Sequence, residues 1–243
     1  MTTSPSMFEG STEAAELSAA HNTYSDPSRI HLPPRVRRLA FWTAVVATAA
    51  AVPYFAAIAL YVAAGFSGLP PMSTRILASL SDFLFVPAMV VLVASLASQS
   101  RPESKILARL SVAILLIFSG LVYGLRILQL LIIFGRAVGG TSLDLYALNT
   151  PASTAAMFAW GPAIGSAVIL ASRMFTSGGL GVWARRLFVL WGILAIAGWS
   201  LTIVGSVLEG SLPTVMVLGI IVRVTSYVFP PASTAVVVWL LRR

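Results

Sequence analysis

The sequence predicts an all-α polytopic membrane protein with six transmembrane helices, and three observations carry that prediction. The chain is 58% hydrophobic, 10% charged and has a mean hydropathy of +0.90, which places it outside the range of soluble globular domains. Its apolar residues are gathered into six runs of about 20 or more, the length that crosses a hydrocarbon core of about 30 Å. The runs lack period-two alternation. They therefore read as helices, which satisfy every backbone N–H and C=O internally, rather than as strands of a barrel.

The elements follow in order. Residues 1–38 are rich in Ser, Thr, Ala and Glu and carry no apolar run; they predict a disordered cytoplasmic tail with a basic juxtamembrane end. Residues 39–243 form the transmembrane domain. Its first span covers 39–64 and contains Pro53, and Gly68, Pro70 and Pro71 turn the chain behind it. The second covers 76–97 and contains Pro87. The third, 106–135, is longer than a perpendicular crossing needs, so it tilts or projects. A loop over 136–151 with Gly139-Gly140 leads to the fourth span, 153–172, which contains Pro162. The Gly-rich connector at 178–181 precedes the fifth, 187–208. Glu209-Gly210-Ser211-Leu212-Pro213 turns into the sixth, 214–241, with Pro231 inside it. Each of the four internal prolines removes a backbone donor, so Pro53, Pro87, Pro162 and Pro231 are expected to kink their helices.

Basic residues set the orientation. Arg29, Arg35, Arg37 and Arg38 precede the first span. Arg101, Lys105 and Arg109 flank the second loop, Arg173, Arg185 and Arg186 the fourth, and Arg242-Arg243 closes the chain. The other side has Arg75 and Arg136. Lys and Arg stay in the cytoplasm, so both termini are expected there, in a bacterial inner membrane. The net charge of +8 is spread over span ends rather than along one face. It points to anionic lipid headgroups at the cytoplasmic face and not to nucleic acid.

An internal repeat shows in the even spans, which share an aromatic-x-Pro-Ala signature: Phe85-Val86-Pro87-Ala88, Trp160-Gly161-Pro162-Ala163 and Phe229-Pro230-Pro231-Ala232. Arg-Leu pairs open the odd spans at Arg38-Leu39, Arg109-Leu110 and Arg186-Leu187. Together they mark three parallel two-helix repeats, a symmetry that transport folds carry. Two packing motifs accompany them. Gly120-x-x-x-Gly124 and Gly161-x-x-x-Gly165 put small residues on one face of the third and fourth spans. Those two helices are expected to be neighbours there, with a homo-oligomer face as the alternative.

Three charged residues lie deep in the spans: Asp82, Arg126 and Arg223. A charge at the bilayer centre costs roughly 2.5–3.5 kcal/mol on the translocon scale, so each needs a reason. Counted from the cytoplasmic basic residues at about 1.5 Å per residue, all three fall at one level about 26–28 Å away, near the outer edge of the core. Tyr123, Gln129 and Tyr227 lie within a turn of them. These six residues predict a polar pocket open to the outside, in which Asp82 pairs with one arginine and the other holds a small anion or a lipid headgroup. The alternatives are a structural ion pair with snorkelling arginines, and a proton relay.

Catalysis finds little to work with. The chain has no Cys, and its two histidines, His21 and His31, lie in the tail. That excludes thiolate and imidazole nucleophiles, bases and metal ligands from the spans. No cofactor motif occurs, and Gly178-Gly179-Leu180-Gly181 lacks the Lys-Ser/Thr of a phosphate loop. The expected function is therefore non-enzymatic: a small transporter or an anion- or lipid-binding membrane component, with an accessory or regulatory subunit of a larger complex as the first alternative and an intramembrane enzyme as the second.

Three features, Arg126 in a polar third helix, Arg186-Leu187 opening the fifth and the ending Val238-Trp239-Leu240-Leu241-Arg242-Arg243, resemble a set of bacterial six-helix integral membrane proteins of unknown function. The resemblance covers the region after the tail and implies a fold plan without an activity. Ser233 and Thr234 stand where that set would place an acid before the terminal Trp-Leu-Leu.

Overall fold

The computed structural model describes residues 32–63, 72–137, 155–156, 158–175, 179–207 and 213–242, and every element among them is helical. Five helices are long and apolar enough to cross a membrane: α1 (Pro34–Ala63), α2 (Met72–Ala97), α3 (Pro102–Ala137), α5 (Gly179–Val207), and a segment made of two pieces, α6 (Pro213–Ser226) and α7 (Phe229–Arg242). Between α3 and α5 lie a π-helical turn at Ala159–Ala163, α4 (Ile164–Ala171) and a 3-10 turn at Ser172–Met174. The fourth expected span is thus represented by a shorter helical stretch, and part of its range, 153–154 and 157, lies outside the described residues. The loops over 138–151 and 208–212 and most of the tail lie outside them too. The tail's last residues, 34–38, already form the first turn of α1. Pro34 suits that place because its missing N–H would be unpaired there anyway.

The helices close into a ring. Sequential neighbours α1 with α2, α2 with α3, α3 with α4 and α4 with α5 pack together, and α7 closes the circle against α1 and α5. α6 leans on α5 from outside that circle. The core is apolar, with Phe118, Phe188, Met89, Leu92 and Leu115 fully buried. Leu, Ile and Val side chains also cover the outside, among them Leu84, Ile117, Leu131 and Ile221, each more than half exposed. A helix that is apolar all round suits a lipid environment rather than water.

Polar cross-links tie the ring where apolar packing alone confers no direction, since lipid is as apolar as leucine. The Thr48 hydroxyl of α1 donates to Thr234 of α7 at 2.8 Å. Ser111 of α3, fully buried, donates to the Ala167 carbonyl of α4 at 2.8 Å.

Glycine is used differently from the expectation. Gly161 and Gly165 do mark a close approach, but to α5. A Cβ on Gly161 would stand 2.4 Å from Trp199 Cβ, and one on Gly165 would stand 2.8 Å from the Gly192 carbonyl. Gly120 and Gly124 meet nothing within 4 Å and are exposed on α3. α3 and α4 are indeed neighbours, but they meet through Ser111 and larger residues on another face. Close backbone approaches also occur at Gly198 and Gly219, where an added Cβ would stand 2.6 Å from Arg223 N and 2.6 Å from Thr202 N. These two glycines draw α5 and α6 together.

The prolines also divide. Pro53 and Pro87 lie inside continuous helices. Pro162 sits in the π turn, where the helix absorbs the missing donor by widening. Pro231 does not kink a continuous helix. It belongs to the first turn of α7, after a break at Tyr227-Val228.

Candidate functional site

That break is the local starting point of the site. Pro230 and Pro231 have no N–H, so the Ser226 and Tyr227 carbonyls lose the donors that would continue the helix. α6 therefore ends in tight turns, Tyr227 N–H to the Val224 carbonyl at 3.2 Å and Val228 N–H to the Thr225 carbonyl at 3.3 Å. The Ser226 hydroxyl donates to the Arg223 carbonyl at 2.6 Å. Irregular backbone at membrane depth is tolerated where it is buried in protein or lines a cavity. Here it does so: Ser226, Tyr227 and Pro230 form one wall of a cleft.

The other walls are largely aromatic: Tyr54 of α1, Phe85 of α2, Trp160 of the π turn and Trp191 of α5, with the Asp82 carboxyl among them. Tyr54 stacks on Trp160 with centroids 5.5 Å apart and planes 13° apart, and meets Tyr227 edge-on at 5.5 Å. The three aromatic-x-Pro-Ala signatures converge here, since Phe85, Trp160 and Pro230 all line the same cleft. The space between the walls is about 400 Å³ with its open mouth included, but only about 20 Å³ of it takes the centre of a water molecule. As it stands the cleft has room for a water or two.

Asp82 is 1% exposed at its side chain and is met by Arg126 of α3, whose Nε and Nη2 each lie 2.5 Å from Oδ2. Arg126 Nη1 donates to Gln129 Oε1 at 2.7 Å, one turn further along α3. Two N–H groups on one carboxylate oxygen make a short, charge-assisted contact. Tyr123 has a different task. Pro87 leaves the Phe83 carbonyl, four residues earlier, without its helical donor, and the Tyr123 hydroxyl supplies one at 3.0 Å. The Phe83 and Tyr123 rings stack with centroids 5.3 Å apart.

The expected six residues therefore do not form one pocket. Asp82, Arg126 and Gln129 form a knot between α2 and α3, and Tyr123 repairs the α2 backbone beside it. Tyr227 stands in the cleft, within electrostatic range of Asp82, Arg126 and Arg223. Arg223 lies apart, on α6 against α5, with its Cζ 4.5 Å above the Trp199 ring. Trp199 Nε1 and Arg223 Nε are both buried and neither has a hydrogen-bond partner.

Sequence reasoning missed Tyr54, Trp191 and Trp199. Nothing in their local pattern separates them from core aromatics, and only the closing of the ring brings them to the cleft. Trp160 was within reach through its proline signature. Among the described residues no three His, Cys, Asp or Glu side chains converge as metal ligands would. No family model, curated protein or solved structure matches the chain.

Proposed function

We propose that the chain is a non-enzymatic, six-span protein of a bacterial inner membrane that binds a small polar solute in the aromatic cleft, as a small transporter does. The fourth crossing in this reading is the span expected over 153–172, of which the π turn and α4 are described parts. Both termini lie in the cytoplasm and the cleft opens outward. The observation that carries the proposal is the broken sixth helix, whose unwound turn borders the cleft. Discontinuous helices at mid-membrane are where transport folds build solute sites, because the unwound backbone offers free polar groups. One residue from each of the three signatures, Phe85, Trp160 and Pro230, lines that cleft, which supports a repeat organised around it. The Asp82–Arg126 pair is a wall of this site and not its ligand group.

A narrow cleft in its resting state favours a second reading, an accessory component of a larger complex whose ion pair is structural. Thermal unfolding in detergent against a panel of small carboxylates, amines, amino acids and sugars separates the two. A solute that raises Tm for the wild type and not for Tyr227→Ala or Trp160→Ala, both of which still unfold cooperatively, is the expected result. The accessory reading gains if no solute acts and the protein co-purifies with a stoichiometric partner through mild solubilisation.

A further inference from the structure

Arg223 and Trp199 together pose a chemical problem that the cleft does not solve. Each presents a buried N–H donor without an acceptor, Arg223 Nε and Trp199 Nε1. Native proteins leave few such groups, and each calls for an account. The indole Nε1 can only donate and the guanidinium can only donate, so the two cannot satisfy one another. Trp199 itself is buried, 8% exposed, and Arg223 stacks on its ring. Arg126 has Asp82 and Gln129 as partners; Arg223 has no carboxylate within ion-pair distance among the described residues.

The arrangement is rigidly built. Gly198 lets the Arg223 backbone lie directly on α5, and Gly161 lets the π turn lie on the other side of Trp199. Side chains at either glycine would displace the pair. Stacking on an aromatic face holds a guanidinium in place while leaving its in-plane N–H groups free to donate. The lone cation is costly at membrane depth without a counter-charge.

We propose that Arg223 and Trp199 form an anion-binding site between α5 and α6 that takes a phosphate or carboxylate oxygen, with Arg223 supplying the charge and Trp199 Nε1 a second, orienting donor. Phosphate and carboxylate chemistry occurs both on lipid headgroups and on free anions, and a guanidinium fork suits either. The site does not depend on the cleft taking a solute, because none of its donors belongs to the cleft.

The experiment is thermal unfolding of the full chain, purified in a neutral, phosphate-free detergent. The probes are inorganic phosphate, acetate, phosphatidylglycerol and, as a lipid without an anionic group, diacylglycerol. Wild type is expected to gain about 5–10 °C at a hundredfold excess of an anionic probe over its Kd, and nothing from diacylglycerol. A shift with phosphatidylglycerol alone assigns a headgroup, and a shift with the soluble anions assigns a free ligand. Arg223→Met is expected to abolish the shift and to raise Tm without anion, since it removes an uncompensated charge while keeping the stem. Trp199→Phe keeps a ring under Arg223, removes Nε1, and is expected to weaken the affinity about 5–30-fold. Tyr227→Ala, which removes a wall of the cleft and none of the anion site's donors, is expected to keep the anion shift. The proposal is overturned if wild type shows no shift with any probe. It also fails if the shift survives Arg223→Met, or if Arg223→Met lowers Tm in the absence of anion. A loss of Tm in Asp144→Asn or Glu209→Gln that Arg223→Met abolishes would name a loop carboxylate as the acceptor and overturn it equally.

Discussion

At the scale of single residues, the Asp82–Arg126 pair is held by both partners at once and tolerates the loss of neither. Removing one partner of a buried ion pair leaves the other unpaired at a cost of about 3–5 kcal/mol. Asp82→Asn and Arg126→Ala are therefore each expected to lower Tm and folding yield, and Asp82→Asn/Arg126→Met is expected to recover much of the loss. A double variant no better than the worse single one would show that the pair does more than neutralise itself. Tyr123→Phe is the gentler case, because it unmakes one hydrogen bond to the Phe83 carbonyl and keeps the stacked ring. The sequence made a pairing of Asp82 with one of two arginines legible, since opposite charges at one membrane depth have few other places to go, but it left open which arginine that is. It could not separate Arg223 from them. Depth along a helix says nothing about the direction a side chain faces, and Arg223 faces α5.

At the scale of elements, the glycines give the clearest contrast. Gly161→Leu and Gly198→Leu put side chains into Trp199 and into the Arg223 backbone, and both are expected to be strongly destabilising. Gly120→Leu adds a side chain where nothing lies within 4 Å and is expected to leave Tm within about 1 °C, an effect within the ±0.5 kcal/mol usual for surface substitutions. If Gly120→Leu instead shifts the protein to a smaller species on size exclusion, α3 is an interface between copies. The spacing of four residues is identical in both motifs, so spacing alone could not tell a packed pair from an open one. The helices themselves were readable because apolar runs of membrane length are rare elsewhere. The break at Tyr227-Val228 was harder, since the proline pair announces a fault without saying whether the helix bends or stops. Two missing donors in succession stopped it.

At the scale of the whole molecule, the basic residues and the tryptophans describe the same end. Arg35, Arg37, Arg38, Arg101, Arg109, Arg173, Arg186 and Arg242 are exposed, and Trp42, Trp183 and Trp239 are exposed near them, at 58%, 58% and 52%. Arg186 stands over the Trp183 ring at 5.6 Å. Trp at headgroup level beside Arg is the pattern of a membrane–water interface. The chain has no cysteine, so single substitutions report topology without background. Ser98→Cys is expected to react with a membrane-impermeant maleimide only in inverted vesicles, and Ser211→Cys only in intact cells. The reverse pattern would invert the protein and place the cleft on the cytoplasmic side.

The distribution of the tryptophans has one more consequence, and it is optical. The chain has six of them. Three, Trp42, Trp183 and Trp239, face outward at one end, while Trp160, Trp191 and Trp199 are buried around the cleft and beneath Arg223. Brominated lipid tails quench the indoles they touch. In such a bilayer the outer set goes dark and the remaining emission comes from the interior, so the protein carries its own unlabelled reporter of whatever enters beside Trp160 or settles against Trp199.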